Sequence, residues 1–226
     1  DQVGFSGFTH AGCPKVVPLA LAKRAEEEHA KGHPFKIGIF TGASTGDNID
    51  GALSRADAIN FRTLYQTNND IRNAINDNRL DYFDLHLSSL AQDLRYGFYG
   101  PVDVAIIEAS DVTEDGQIVL TCGVGISPTI INLARIVVVE LNQWHPKELR
   151  GLHDLIDLQD PPHRREIPVY SVKSRIEKEY IQVDPEKLIK VETNDPDDGG
   201  SVAPVDDITT QIGKNTAGFL VEEMAK

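Results

Sequence analysis

The chain has 226 residues, of which 40% are hydrophobic and 25% are charged, and its formal net charge is −13. This length and composition predict a soluble globular protein with a large core. Nucleic acid and anionic membrane surfaces are excluded as general partners, because an acidic surface repels both. No apolar run approaches the roughly 20 residues that span a bilayer.

The two cysteines, Cys13 and Cys122, are far apart and show no C-x-x-C spacing. We therefore expect neither a disulfide scaffold nor a zinc site, and two buried reduced thiols are typical of a reducing compartment. A cytoplasmic protein is predicted, with a mitochondrial matrix protein that has lost its targeting segment as the alternative. The chain begins without methionine and stops just after a predicted helix, so we expect both ends to be cuts through a longer protein.

The first hundred residues alternate strands and helices. A strand "QVGFSGF" precedes a helix "CPKVVPLALAKRAEEEHAKG", with Pro14 at its first position and Gly32 as its stop. The apolar run "PFKIGIF" predicts a buried strand. Residues 51–58 look helical, and a short helix "NNDIRNAIN" is capped by Asn68 or Asn69. A strand "YFDL" and a helix "LSSLAQDLRYG" follow.

The next segment carries the strongest strand signals. "VDVAIIEAS" and "RIVVVELN" are continuous apolar runs, which is typical of buried parallel strands. "DVTEDGQIVLT" predicts a hairpin that turns at Asp115-Gly116. "GVGISPTIINLA" predicts a glycine turn and a helix, with Ser127 as N-cap and Pro128 at the first position.

The chain changes character at Pro146, which divides it into a core of about 1–145 and a loop-rich extension of about 146–226 within one domain. "VYSVK" and "KEYIQV" look like strands, "NDPDDGGSVAP" like a polar linker, and "DDITTQIGKNTAGFLVEEMA" like a final helix. Alternating strands and helices predict an α/β fold with an open, largely parallel sheet and flanking helices.

Three loops rich in small residues follow predicted strands: "SGFTHAG", "TGASTG" and "TCGVGISPT". In parallel α/β sheets, ligands bind beyond the carboxyl ends of the strands. We therefore expect these loops to converge on a ligand site.

Ser44 lies in a G-x-S-x-G sequence, the spacing of a nucleophile elbow. An elbow turns directly from the serine into a helix, whereas "TGDNID" intervenes here, and no HGGG-like oxyanion loop precedes it. Asp111 with His145 or His153 could complete a triad in the expected order. A serine hydrolase is thus an alternative that the residues disfavour.

Other binding motifs are weaker. A phosphate loop needs a lysine where Asp47 follows Gly46, and Gly123-Val124-Gly125 lacks the third glycine of a dinucleotide fingerprint. A tight turn that excludes bulky residues explains these loops equally well. We expect no metal site, because the candidate ligands have poor spacing: the pair His145 and His153, and a calcium-like series Asp195, Asp197, Asp198 and Asp206.

Two carboxylates, Glu108 and Glu140, lie near the ends of predicted strands. Either could act as a base or nucleophile, but we favour hydrogen-bonded structural roles for both. Arg175 could meet an anionic ligand, and a surface or ion-paired role is favoured for it too.

Taken in order, several blocks resemble one family: "VGFSGFTHAGCPKVVPLALA", "FTGASTGDNIDGAL", "FRTLYQTNNDIRNAIN", "YFDLHLS", "VDVAIIEAS", "GVGISPTIINLARIVVVELN", "LRGLHDLI" and "IQVDPEKLIKV". The chain resembles the amino-terminal half of the acetyl-CoA hydrolase/transferase family, the class I CoA-transferases that include succinyl-CoA:acetate CoA-transferase. The resemblance extends over nearly the whole chain, and its specificity lies in the number and order of the blocks.

The resemblance implies two related α/β halves with the active site between them. CoA would pass from an acyl-CoA to a small carboxylate such as acetate, through a glutamyl-CoA intermediate. That glutamate belongs to the carboxy-terminal half, so no catalytic residue is assigned in this chain. The implied partners are the CoA thioester and carboxylate substrates, the chain's own carboxy-terminal half, and further copies in a homodimer or larger homo-oligomer, with no permanently bound cofactor. An acyl-CoA hydrolase and, for the isolated chain, a non-catalytic module are the alternatives.

The resemblance also implies substrate-binding residues. Gly42, Ala43 and Ser44 match the family's G-A-S loop, and Thr67 in "YQTN" matches another pocket position. Ser44 would then orient a substrate carboxylate without attacking the thioester, and Ser127 is a weaker candidate for the same cleft. One departure is that Asp198, Gly199 and Gly200 stand in a loop where many relatives carry arginine. We therefore do not predict succinate as the substrate.

Overall fold

A computed structural model describes residues 1–176, 178–196 and 204–226, and in these residues nine strands form one sheet. Their bounds are β1 Gln2–Phe5, β2 Ile37–Phe40, β3 Ile59–Thr63, β4 Asp81–Phe83, β5 Val104–Val112, β6 Gln117–Leu120, β7 Ile136–Asn142, β8 Ile181–Gln182 and β9 Leu188–Thr193. Seven of them run parallel in the order β4-β3-β2-β1-β5-β7-β9. β6 pairs antiparallel with the far end of β5, and β8 with β6.

The described residues contain six α-helices. They are α1 Val17–Ala30, α2 Ala52–Arg55, α3 Asn69–Asn76, α4 Leu87–Arg95, α5 Ser127–Leu133 and α6 Asp207–Met224. A five-residue π-helical turn, Asp47–Gly51, leads into α2. Every residue of α6 is exposed, so this helix packs on nothing in the described chain.

The core has two parts because side chains alternate across each strand. Ile39 belongs to the cluster under α1, α2 and α3, whereas its neighbour Phe40 belongs to the cluster under α4 and α5. Ile106 and Ile107 divide in the same way. The α/β class with an open, largely parallel sheet is therefore confirmed, and β8 and β9 show that the loop-rich extension adds two strands to the same sheet.

The predicted helix ends are partly confirmed. The Asn68 side chain caps α3 by accepting hydrogen bonds from two backbone N–H groups, and Gly32 follows α1 with a φ of +80°. However, α1 begins at Val17 and not at Pro14, because Pro18 occupies its first turn. α5 begins at Ser127 itself, and the position before it is Ile126, so the predicted Ser127 cap is wrong by one residue.

The strand predictions failed in three places, and one of them is β3 (Ile59–Thr63), where no strand was predicted. "VYSVK" forms no strand, and its residues are exposed. β9 was missed because its side chains are mostly exposed or half-buried, so no apolar run marks it. The Asp115-Gly116 hairpin is confirmed, with Gly116 at a φ of +87°. In the described residues, none of the helices is long and apolar enough to cross a membrane.

Candidate functional site

The three small-residue loops meet at the carboxyl edge of the parallel strands, as predicted. A Cβ built on Gly42 would lie 3.3 Å from the Ile126 nitrogen, and one on Gly123 would lie 2.3 Å from the Ala11 oxygen. Backbone therefore packs against backbone at both crossings, and a side chain at Gly123 would collide. The glycines are needed there for this close approach.

Ser44 and Thr67 form a hydroxyl pair at this edge. The Thr67 Oγ1 donates to Ser44 Oγ at 2.6 Å, and the Thr67 backbone N–H donates to the same oxygen at 3.2 Å. Ser44 is buried, with 1% of its surface exposed, whereas Thr67 is exposed. A ligand at this edge therefore meets Thr67 first, with Ser44 directly beneath it.

A fully buried ion pair lies under the loop that carries Ser44. The Arg62 Nε donates to Asp50 Oδ1 at 2.9 Å, and both side chains are 0% exposed. Arg62 Nη2 also donates to the Ala43 carbonyl at 3.2 Å. The pair thus joins β3 and the π-helical turn to the backbone of the Gly42-Ala43-Ser44 loop.

Asp50 also determines how the hydroxyl groups are oriented. Its Oδ2 accepts from Thr45 N at 2.7 Å and from Thr45 Oγ1 at 2.9 Å, and more distantly from Ser44 Oγ at 3.5 Å. An ionised carboxylate only accepts, so Ser44 directs its proton to Asp50 and receives the proton of Thr67. The result is a chain of hydroxyls that runs from the buried Asp50 to the exposed Thr67.

This environment argues against the nucleophile elbow. No histidine hydrogen-bonds Ser44 in the described residues; its partners are Asp50 and Thr67. Thr45 and Gly46 separate Ser44 from the π-helical turn, where an elbow would enter a helix at once. His153 instead contacts the Leu120 carbonyl at 3.0 Å.

A second buried ion pair, Lys15–Glu108, lies at the same edge on the other side of β1. The Glu108 carboxylate also accepts from Thr121 Oγ1 at 2.8 Å and from Asn142 Nδ2 at 2.9 Å. Its backbone N–H donates to Ser6 Oγ at 2.9 Å. Glu108 thus links the ends of β1, β5 and β7, in keeping with the structural role favoured for it.

Glu140 has a separate structural role at the start of α1. Its carboxylate accepts hydrogen bonds from the backbone N–H groups of Lys15, Val16 and Val17. These are groups that a helix cannot satisfy internally, and a negative charge is favourable at this end of the helix. The sequence interpretation of Glu140 as a strand-end carboxylate with a structural role fits this geometry.

The two cysteines differ, and the expectation of two buried thiols is wrong for Cys122, which is exposed. Cys13 is buried, and desolvation raises the pKa of its thiol to about 12. The Asp50 carboxylate contributes to this rise of the pKa, while Lys15 opposes it. Cys13 is therefore protonated at neutral pH.

Ser127 lies beside the loops but is fully enclosed. Its hydroxyl is buried and has no hydrogen-bond partner among the residues that the structure describes, although its neighbour Ile126 contacts the Gly42 loop. Its assignment as a cleft residue therefore stays a prediction. Arg175 donates to the Gly151 and His153 carbonyls, in agreement with a structural role.

In the described parts of the chain, no group of three or more histidine, cysteine or acidic side chains could hold a metal ion. Asp197 and Asp198 of the calcium-like series lie outside the described residues, as do Gly199 and Gly200. The arginine expected in that loop is absent from the sequence itself.

The sequence interpretation missed Asp50, Arg62 and Lys15. A signal existed for Arg62, because it is the one charged residue in the short β3 segment "INFRT". A charged side chain in a buried strand needs a partner. Nothing in the sequence pointed to Asp50 as that partner, since the two are 12 positions apart and meet only through the π-helical turn.

Comparisons with known proteins agree with this architecture. Residues 1–192 match the acetyl-CoA hydrolase/transferase N-terminal domain. The chain is 42% identical over 226 residues to a propanoyl-CoA:succinate CoA transferase of Escherichia coli, and 40% identical over 223 residues to a succinyl-CoA:acetate CoA-transferase of Clostridium kluyveri. It is 38% identical over 232 residues to an acetyl-CoA hydrolase of Schizosaccharomyces pombe.

These alignments cover 100%, 98% and 100% of the chain but only 46%, 41% and 44% of the relatives, so the chain spans less than half of their length. Among solved structures, RipA from Yersinia pestis matches with a TM-score of 0.59 at 17% identity, over 92% of this chain and 42% of RipA. Glutaconate coenzyme A-transferase from Acidaminococcus fermentans matches with a TM-score of 0.53 at 12% identity, over 85% of this chain and 70% of the other. These two matches support the fold.

Proposed function

Since the chain belongs to the acetyl-CoA hydrolase/transferase family and its residues 1–192 match the N-terminal domain, we propose that it forms the amino-terminal half of a CoA-transferase. The complete protein would move CoA between an acyl-CoA and a small carboxylate of the acetate type. The names of the Escherichia coli and Clostridium kluyveri relatives, both CoA-transferases, support this reaction class.

The proposed chemistry uses a glutamate carboxylate from the carboxy-terminal half, which lies outside this sequence. The carboxylate attacks the thioester carbonyl, the C–S bond breaks, and CoA leaves as a thiolate. The thiolate then attacks the glutamyl carbonyl of the resulting anhydride, which releases the carboxylate product and leaves a glutamyl-CoA thioester. The acceptor carboxylate reverses these steps. A covalent route of this kind conserves the energy of the thioester, because each covalent intermediate is itself an anhydride or a thioester.

The observation that carries the proposal for this chain is the exposed Thr67 hydroxyl, held by Ser44 over the buried Asp50–Arg62 pair. When the Thr67 hydroxyl turns outward, its proton is available to a carboxylate oxygen, while Ser44 retains Asp50 as acceptor. Gly42 and Ala43 keep the loop small, so a ligand can approach the backbone closely. We propose that these residues orient the substrate carboxylate, with Ser127 in a supporting position beside them.

The proposal is tested by following labelled acetyl-CoA with a panel of small carboxylates. We expect label exchange with the complete protein and none with residues 1–226 alone. Exchange by the chain alone that Ser44→Ala abolishes would contradict the proposal and favour a serine hydrolase.

Acetyl-CoA hydrolysis is the second candidate, favoured by the name of the Schizosaccharomyces pombe relative. Water would then take the place of the acceptor carboxylate. The same assay separates the two, because hydrolysis releases CoA at a rate that does not depend on the carboxylate added. A homo-oligomer located in the cytoplasm or the mitochondrial matrix remains our prediction for the complete protein.

A further inference from the structure

A tight turn after β1 reaches over the loop that carries Ser44. Phe8 and Ala11 exchange both of their backbone hydrogen bonds, at 2.9 Å and 3.1 Å. Only Thr9 and His10 lie between them, and their φ values are +49° and +82°. Two successive residues with positive φ between such a pair are the mark of a type I′ turn, for which Asn-Gly is the preferred sequence.

Thr9 and His10 are poor residues for this turn. A β-branched residue such as Thr9 is strained in the left-handed region, and glycine would occupy the position of His10 without steric cost. Backbone strain of this kind persists where the surrounding structure holds it, and it is concentrated at functional sites. The turn geometry therefore does not explain a histidine at position 10, whereas the surroundings of its imidazole do.

The His10 imidazole lies directly against Gly46, the last residue of the Ser44 loop. A Cβ built on Gly46 would lie 2.0 Å from His10 Nδ1 and 2.6 Å from His10 Cε1, so the ring fills the space that a side chain at position 46 would need. The ring is half-buried, and among the residues that the structure describes neither of its nitrogen atoms has a hydrogen-bond or ion-pair partner. Two polar atoms thus lie beside the candidate site with their hydrogen-bonding capacity unused by the described chain.

His10 is also the one side chain of the three loops that can become a cation. The sequences "SGFTHAG", "TGASTG" and "TCGVGISPT" contain no lysine, no arginine and no other histidine. Arg62 lies beneath this edge, but it is buried and paired with Asp50. Lys15 is likewise buried and paired with Glu108. Since the chain has a formal net charge of −13, a carboxylate that reaches the loops meets protonated His10 as the positive group that they can offer.

The other titratable groups around the turn have partners within the protein. His145 Nε2 lies 3.8 Å from Glu108 Oε2, and His153 Nε2 lies 3.0 Å from the Leu120 oxygen. On the segments packed around the turn, the described charged and titratable groups are ion pairs and thiols: Asp47 with Arg55, Asp50 with Arg62, Lys15 with Glu108, Arg95 with Asp160, and the thiols of Cys13 and Cys122. His10 is thus the histidine at this edge whose charge is left for a ligand.

We propose that protonated His10 is a specificity-determining residue, which donates a charge-assisted hydrogen bond to the substrate carboxylate that the Ser44 loop orients. An imidazole gains its proton between about pH 5 and pH 8, so the site binds a carboxylate more tightly at the acidic end of this range. The strained turn holds the ring over Gly46, and the residue pair that suits the turn best would remove the donor. This inference rests on the proposed function, because it concerns the carboxylate of that reaction.

The test measures the KM for acetate in the labelled exchange assay, with the complete protein at pH 6 and at pH 8. The variant His10→Asn keeps a residue that tolerates the left-handed region but cannot become a cation. We expect it to raise the KM for acetate about tenfold at pH 6 and much less at pH 8, with kcat and the KM for acetyl-CoA nearly unchanged. His33→Asn is the matched control, because the His33 ring binds Glu28 just before β2, at the opposite edge of the sheet. No rise at pH 6, or an equal rise at both pH values, would overturn the inference.

A second variant separates binding from a structural role. Thr9→Asn/His10→Gly installs the preferred pair of a type I′ turn, so it should unfold at a higher denaturant concentration than wild type and still show the raised KM at pH 6. Wild-type affinity for acetate in this more stable protein would contradict the inference.

NMR of the histidine rings keeps the two proposals distinguishable. Acetate should shift the His10 C2–H resonance of the complete protein at pH 6, whether or not transfer occurs, and the resonance is assigned by its loss in His10→Asn. Wild-type protein without transfer or hydrolysis contradicts the proposed function. A His10 resonance that acetate does not shift contradicts His10 as a carboxylate ligand.

Discussion

The two buried ion pairs at the carboxyl edge of the sheet differ in the side chains that their hydrogen-bond networks connect to. Asp50–Arg62 connects through Ser44 to Thr67, whose side chain is exposed. Lys15–Glu108 connects to Thr121 and Asn142, which are buried. Both pairs join separate segments of the chain. In the described residues the first network ends in the exposed side-chain hydroxyl of Thr67, whereas the second continues from Asn142 to the backbone of Trp144 and Asp195. Burial and charge therefore do not distinguish the two pairs, whereas the last group of each network does.

The largest effect is expected from breaking the Asp50–Arg62 pair. Arg62→Met leaves the Asp50 carboxylate buried without its cation, and such a change costs about 3–5 kcal/mol of unfolding free energy. The double variant Asp50→Asn/Arg62→Met removes both charges and should lose less than the single variant. Denaturant unfolding of four proteins measures this: the wild type, Arg62→Met, Asp50→Asn and the double variant. Additive losses from the two sites would contradict the coupling.

Lys15→Met tests the second pair and should also destabilise the chain, because Glu108 stays buried without its cation. The loss should be about 3 kcal/mol, at the lower end of the range, because Glu108 retains Thr121 and Asn142 as donors. Variants of the two pairs should differ in the KM for the carboxylate, measured on the complete protein. The milder change Arg62→Lys, which keeps the charge but loses the fork of donors, should raise the KM for the carboxylate. Lys15→Met should leave that KM within about twofold of wild type. Equal KM values for both variants would remove the functional distinction between the pairs.

Thr67 is the surface end of the first network, and its removal should affect binding more than stability. Thr67→Ala deletes the hydroxyl that we propose meets the carboxylate, so the KM for the carboxylate should rise about tenfold in the complete protein. Thr67→Ser keeps the hydroxyl and should restore most of the affinity. An unfolding midpoint close to wild type for both variants is the control, since Thr67 is exposed.

A result in which Thr67→Ala and Thr67→Ser raise the KM equally would show that the hydroxyl is not the group that matters. A change in the KM for acetyl-CoA, with the KM for the carboxylate unchanged, would indicate that Thr67 contacts the acyl-CoA and not the carboxylate.

Much of the fold could be predicted because its signals are local. Continuous apolar runs marked β2, β5 and β7, and small residues after the strands marked the loops that converge. β9 carried no such signal, because it pairs only with β7 in the described sheet and buries little. Its place depends on a neighbouring strand about 50 residues earlier in the chain, which no local pattern contains.

The position of the candidate site could be predicted from the sequence, but the arrangement of its residues could not. The sequence placed Ser44 and Thr67 in one pocket through the family resemblance, and the structure brings their oxygens to 2.6 Å. It did not reveal that Ser44 is buried under Thr67, because that depends on how "YQTN" folds over the Gly42-Ala43-Ser44 loop. The supporting pair was invisible for a similar reason, since Asp50 and Arg62 meet only in the folded chain.

Cys13 lies close to both ion pairs, and the charges of both pairs act on its thiol. The reactivity of this thiol gives the last and smallest of the tests. The pKa of the Cys13 thiol is raised to about 12, mainly by desolvation, with Asp50 and Glu108 adding to the rise and Lys15 and Arg62 opposing it. A raised pKa favours the thiol, so at pH 8 about one molecule in 10,000 carries the reactive thiolate. We therefore expect iodoacetamide to label the exposed Cys122 and to leave Cys13 unlabelled until the protein is unfolded.

Mass spectrometry of the two cysteine peptides at pH 8 measures this directly. The enclosure of the sulfur points the same way, since a Cβ built on Gly7 would lie 2.1 Å from Cys13 Sγ, and no room remains for an added group. Arg62→Met should increase Cys13 labelling only through opening of the fold, because loss of a nearby cation raises the pKa still further. Labelling of Cys13 at the rate of Cys122 in the native protein would contradict the enclosed position of this thiol between the two pairs.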